Sequence, residues 1–165
     1  MILKTNRTLS KIAVTNTGSE ALDDKLGVAL RDNAFHRVQV LDLTGAHFKD
    51  GGASLVDGLL KTPHALSVLN LEAAINGKAA ATLLKGLATN PVIALTMSEL
   101  CLNHVALDED GNAALLDFAN KTAEDGKLTR LALAHTNTNG AVIISNPIAV
   151  RSSSPYVYSD SCFLK

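Results

Sequence analysis

Apolar side chains recur along this chain in one short alternating pattern. VQVLDL spans residues 38–43, LSVLNL 66–71, MSELCL 97–102 and LTRLAL 128–133, and a degenerate LSKIAV stands first at 9–14. In each hexamer a single polar or small residue separates the last two apolar positions, the period of two expected of a strand with one buried face. The hexamers begin at Leu9, Val38, Leu66, Met97 and Leu128, so they return every 28 to 31 residues. Self-similarity at that period predicts a stack of equivalent units.

Between the hexamers the period changes. Twelve and sixteen positions after the last strand residue come Leu26 and Leu30, then Leu55 and Leu59, then Leu83 and Leu87; in the fourth unit Leu115 and Phe118 serve, with the offset slipped by one at Leu115. A spacing of four places side chains on one face of a helix. Helix-start chemistry precedes each pair: Gly18-Ser19-Glu20, Lys49-Asp50-Gly51-Gly52, Asn76-Gly77 and Asp108-Glu109-Asp110-Gly111. Acidic groups there suit the positive end of the helix that follows. Each unit thus reads as strand, turn and helix. One unit alone buries too few leucines to offset the ordering of its backbone, and a neighbour must cover the face it exposes.

Composition narrows the class. The 165 residues carry a net charge of −1 and a sequence pI near 6.5, which gives no electrostatic footprint for nucleic acid or an anionic membrane. Trp is absent and aromatics make up 4%, so base-stacking platforms are scarce. No apolar run approaches the roughly 20 residues of a membrane span. Two cysteines, Cys101 and Cys162, are too few for a disulfide framework, and no secretory signal precedes the first hexamer. A cytoplasmic protein is expected.

The motif L-x-x-L-x-L followed by a helix resembles the leucine-rich repeats of the ribonuclease-inhibitor class over roughly residues 9–135. The fold that this resemblance implies is an α/β leucine-rich-repeat solenoid, a right-handed horseshoe segment with parallel strands on the concave side and helices on the convex side. Four to five repeats would fill residues 1–140, and 141–165 would form an irregular tail. One departure stands out. Where that class commonly places Asn or Cys to bond the turn backbone, three residues after the L-x-L pair, this chain has Thr17, Ala46, Ala74, Val105 and Thr136. Other partners are needed for those turn amides.

Between Phe35 and Asn139 the runs VLDLTGAHFKDGG, LLKTPHALSVLNL, LLKGLATNPVIALTMSELCL and LLDFANKTAEDGKLTRLAL resemble consecutive repeats of the CARMIL family of actin capping protein regulators. The most telling run is LATNPVIALTMSEL, residues 87–100, in which Asn90-Pro91 breaks the helix and extra residues lead into the next strand. The resemblance implies a role in actin assembly at the cell cortex, through protein partners. In that family capping protein is bound by a basic segment beyond the repeats and lipid by a domain before them, so neither activity attaches to a residue of this chain.

If the L-x-L leucines face the core, the flanking and intervening residues share the opposite sheet face. That face is expected to hold Lys11, Ala13 and Thr15; Val40, Asp42 and Thr44; Val68, Asn70 and Glu72; Glu99, Cys101 and Asn103; and Arg130, Ala132 and Ala134. A protein-binding surface and a plain solvated face both fit this mixed polar set. The partner-binding residues it nominates are Lys11, Val40, Asp42, Thr44, Val68, Asn70, Glu72, Glu99, Cys101, Asn103 and Arg130.

Chemistry of another kind has three candidates. His104 and His135 occupy equivalent positions beside Cys101, so an enzyme or metal site is one alternative, although no third ligand follows in register and stacked turn histidines are the plainer account. Asp108-Glu109-Asp110-Gly111 suggests half a calcium loop, but position twelve is Ala119 where a Glu is needed. A nucleophilic Cys101 would require a positioned base. No Walker loop, GxGxxG or GxSxG occurs, and the expectation is a non-enzymatic protein without a cofactor. A small-GTPase regulator or an immune-type sensor on the same scaffold are further alternatives. Polar end caps are not evident, and Pro147, Pro155 and Ser152-Ser153-Ser154 argue against a helix in the tail; the expectation is a segment of a longer solenoid, or a chain whose tail departs from its ancestor.

Overall fold

The computed structural model describes residues 8–15, 26, 28–29, 38–48, 50–61, 66–90, 96–125, 128–137 and 157–158. The chain is an α/β protein built on a parallel sheet. Its strands are β1 (Lys11–Ala13), β2 (Val40–Asp42), β3 (Val68–Asn70), β4 (Glu99–Cys101), β5 (Arg130–Ala132) and β6 (Val157–Tyr158), and they lie side by side in chain order. Helices α1 (Ala53–Lys61), α2 (Gly77–Thr89) and α3 (Glu109–Asp125) follow β2, β3 and β4. Leu26, Val28 and Ala29, between β1 and β2, are also helical. Each hexamer therefore supplies one strand, centred on the first leucine or isoleucine of its closing pair.

The register keeps equivalent residues abreast. Ile12, Leu41, Leu69, Leu100 and Leu131 pair in sequence across the sheet. Leu41, Leu69 and Leu100 are each 1% exposed and Leu43, Leu71 and Leu102 are fully buried. From the helices come Leu55, Leu59, Leu83, Leu87, Leu115 and Phe118, all in the same continuous core. Leu26 joins them, whereas Leu30 lies outside the described residues. α1 packs on α2, and α2 on α3.

Side chains start the helices where the turn chemistry predicts. Asp50 precedes α1, its Oδ1 accepting from the Gly52 N–H at 3.0 Å and its Oδ2 from the Ser54 N–H at 2.7 Å. Burial alone would raise the pKa of this carboxyl, but the bonds from Ser54 and Gly52 outweigh it and hold it below the usual carboxylate range. Asn76 caps α2 through Oδ1, which accepts from the Ala79 N–H at 2.9 Å. Asp108 Oδ1 accepts from the Gly111 N–H at 2.8 Å, so the acidic cluster there begins a helix. At the other end of α2, Asn90 closes the helix with its N–H on the Gly86 carbonyl, and the Lys121 ammonium of α3 donates to the Ala88 carbonyl at 2.6 Å.

The turns after the strands answer the missing Asn or Cys. Ala46, Ala74 and Val105 donate their N–H groups to Leu43, Leu71 and Leu102 within their own turns. Gly45, Ala73 and His104 donate onward to the carbonyls of Glu72, Asn103 and Ala134 in the next unit, at 2.8, 2.9 and 2.7 Å. Thr136 is buried, its hydroxyl donating to the Leu133 carbonyl at 2.7 Å. Thr17 lies outside the described residues. This geometry requires a left-handed residue two positions past each L-x-L pair: Gly45 at φ 63°, Ala73 at 51°, and His104 and His135 at 57°.

The tail expected to be irregular contributes β6, whose Val157 and Tyr158 pair parallel with Leu131 and Ala132. Its other residues lie outside the described set.

Two substitutions test this local physics. Ala73 is exposed and left-handed, so Ala73→Gly relieves backbone strain without removing packing and is expected to raise stability by about 0.5–1 kcal/mol in urea unfolding. A Cβ at Gly77 would overlap the Ala106 carbonyl oxygen of the next turn. Gly77→Ala is expected to cost about 2 kcal/mol in the same assay.

Candidate binding face

The nominated residues fall into rows across the sheet. Lys11, Val40, Val68, Glu99 and Arg130 form one row, and Ala13, Asp42, Asn70, Cys101 and Ala132 the next. Strand alternation turns both rows away from the leucine core. Val40, Asp42, Thr44, Val68, Asn70, Glu72, Glu99, Cys101 and Asn103 are half-buried, and Lys11 and Arg130 are exposed. Ala132 differs. It was expected on this face and is 3% exposed, at the point where β5 pairs with β6.

A polar chain ties the strand ends together. Asp42 Oδ1 accepts from the Thr44 N–H at 3.2 Å and from the Thr44 hydroxyl at 2.7 Å. The Thr44 hydroxyl oxygen accepts in turn from Asn70 Nδ2 at 2.9 Å, while Asn70 Oδ1 accepts from the Glu72 N–H at 3.1 Å. Glu72 Oε2 receives the Asn103 amide at 3.4 Å and the Cys101 thiol at 3.9 Å. Asn103 Oδ1 then accepts from the Ala134 N–H at 2.8 Å. Asp42 and Asn70 thus hold the turns after β2 and β3, while Asn70 and Asn103 each reach a neighbouring unit.

Charge is unevenly placed on this face. Asp42, Glu72 and Glu99 belong to the inner strands and their turns, with Lys11 on β1 and Arg130 on β5. Arg130 Nη1 donates to Glu99 Oε2 at 3.3 Å, an exposed pair of small energetic value. Between β3, β4 and β5 the surface dips into a cavity of about 100 Å³, lined by Val68, Asn70, Glu72, Glu99, Cys101, Asn103 and Arg130. Seven of the eleven nominated residues line it. Burial raises the Cys101 pKa above the usual thiol range, the Asn103 backbone N–H opposes this, and the Glu72 carboxylate adds to the rise.

The alternative built on Cys101, His104 and His135 comes together only in part. The two imidazoles stack with centroids 4.6 Å apart and planes 19° from parallel, at the left-handed turn positions. Cys101 bonds instead to Glu72, and among the described residues no three His, Cys, Asp or Glu side chains gather in a metal-holding group.

A second row of polar residues escaped the sequence reading. Ser67, Ser98 and Thr129, each at the second position of its hexamer, donate their hydroxyls to the carbonyls of Gln39, Ser67 and Ser98 at 3.1, 2.9 and 3.0 Å. The same carbonyls accept two backbone N–H groups each from the following unit. The recurring Ser or Thr in LSVLNL, MSELCL and LTRLAL was the available signal.

The class of protein defined so far is an α/β chain with a parallel sheet in sequence order and one polar sheet face. No protein-family model, curated protein or solved structure matches it. Among the described residues, no helix is long and apolar enough to cross a membrane.

Cys101 reports the electrostatics of the face. Alkylation by iodoacetamide at pH 8, followed by peptide mapping to separate it from Cys162, is expected to run slower than for an unstructured cysteine. Glu72→Gln removes the adjacent negative charge, lowers the thiol pKa and should speed the reaction.

Proposed function

We propose that this chain forms a leucine-rich-repeat solenoid, of right-handed horseshoe form, whose concave sheet face binds a protein partner in actin-cytoskeleton assembly. It acts as a scaffold or regulator in the cytoplasm and at the cell cortex, not as an enzyme. The observation that carries the binding role is the polar chain from Asp42 through Asn70 and Glu72 to Asn103. These bonds hold side chains of the sheet face in position before any partner arrives, so less conformational entropy is lost on association. Support for the solenoid comes from strands in chain order with equivalent leucines in register, as stacked repeats require. The actin assignment rests on the resemblance of residues 35–139 to CARMIL repeats and on nothing in the geometry.

The test is capture from cell extract on the immobilised full chain, compared with two variants. Val68→Lys changes the sheet face, and Thr82→Lys changes the exposed side of α2. Proteins of the actin assembly machinery are expected on the native chain and on Thr82→Lys, reduced at least tenfold on Val68→Lys, with circular dichroism unchanged in both. Capture that survives Val68→Lys and is lost with Thr82→Lys would move the binding surface to the helices. A partner unrelated to actin, bound through Val68, would retain the face and discard the actin assignment.

A further inference from the structure

We infer that the cavity between β3, β4 and β5 receives a cationic side chain, lysine or arginine, presented by the protein partner. This rests on the sheet face being the binding surface and specifies what the partner must bring to it.

Two carboxylates border the cavity, and they are not equivalent. Glu99 is paired with the Arg130 guanidinium at 3.3 Å. Glu72 is half-buried, and among the described residues no cation pairs with it. Its Oε2 has only the Asn103 amide at 3.4 Å and the Cys101 thiol at 3.9 Å, both long and neutral. Partial burial has removed water from this carboxylate without supplying an opposite charge, so an incoming ammonium or guanidinium meets less competition than at an exposed acid. Asn103 and the backbone N–H that Glu72 donates to Asn70 hold the residue in place.

The rest of the lining suits the stem of such a side chain. Val68 and Cys101 present apolar and weakly polar surface, which the methylenes of a lysine or arginine can cover while the charged head reaches Glu72. Asp42, farther along the same face, also has no cationic partner among the described residues, so the central part of the sheet favours a positively charged segment. On the β5 side Arg130 is engaged by Glu99, which leaves Glu72 as the carboxylate of the lining without a cation among the described residues. An acidic or wholly apolar segment would leave Glu72 repelled or further desolvated.

The probe is the peptide acetyl-Gly-Ala-Lys-Ala-Gly-amide, titrated into the ¹⁵N-labelled full chain, with its norleucine analogue as the uncharged control. The amides of Val68, Glu72, Cys101 and Asn103 are expected to shift saturably with the lysine peptide and not with norleucine. Glu72→Gln, which keeps the side-chain shape, should weaken binding at least fivefold, as should 1 M salt, and Glu99→Gln should weaken it less. Equal response to norleucine, no saturable shift at these four amides, or undiminished binding by a folded Glu72→Gln would overturn the inference. If capture of the protein partner is lost with Val68→Lys yet unaffected by Glu72→Gln, the sheet face stands as the binding surface and the cationic pocket falls alone.

Discussion

Among the described residues, neighbouring units complete one another's backbone hydrogen bonding along the sheet and its turns. A three-residue strand has few bonds of its own, and its turn leaves further N–H groups that burial would penalise. The next unit accepts them: Leu43 donates to Asn70, Leu71 to Cys101 and Leu102 to Ala132, with Gly45, Ala73 and His104 continuing past the strands. The leucine core has the same dependence. Because Leu41, Leu69 and Leu100 lie abreast, an apolar side chain removed from one strand leaves a gap beside two others.

That dependence explains which side chains are constrained and which are available. Residues facing the helices must be apolar and of fixed size, and the left-handed turn position must tolerate φ near 55° whatever its side chain. Glycine satisfies this only at Gly45, so Ala73, His104 and His135 hold strained conformations, and the bonds to the next unit from the Ala73 and His104 N–H groups stabilise the first two. The histidine stack belongs to this backbone requirement: two equivalent turns place two equivalent rings 4.6 Å apart. By contrast, the opposite sheet face carries Asp, Asn, Glu, Cys and Arg, residues that the core does not dictate.

On that face the same side chains serve the fold and shape the cavity. Asp42 and Asn70 hold the turn after their own strand, and Asn103 reaches the turn of the following unit. Glu72 is the exception, since it closes no backbone bond through its side chain and its charge stays uncompensated among the described residues. A half-buried carboxylate beside a raised-pKa thiol is a local electrostatic bias, fixed in place by neutral neighbours.

The amino-acid sequence by itself determined the strand positions, the helix faces and the capping residues. Each depends on local spacing: two for Leu41 and Leu43, four for Leu55 and Leu59, and an Asp or Asn just before the helix. It also nominated the residues of the polar face, because strand alternation is a property of the backbone. Tertiary structure alone decided what lies between units. It set the register that brings Asn70 to Thr44 and Asn103 to Glu72, and the turn-to-turn contact that Gly77 permits. It also placed β6 beside β5, where Ala132 is buried, and set the Cys101 thiol on Glu72 while the two histidine rings stack on each other. Those features arise from contacts between residues about thirty positions apart, whose distance and direction a linear pattern does not encode until the backbone ladder aligns them.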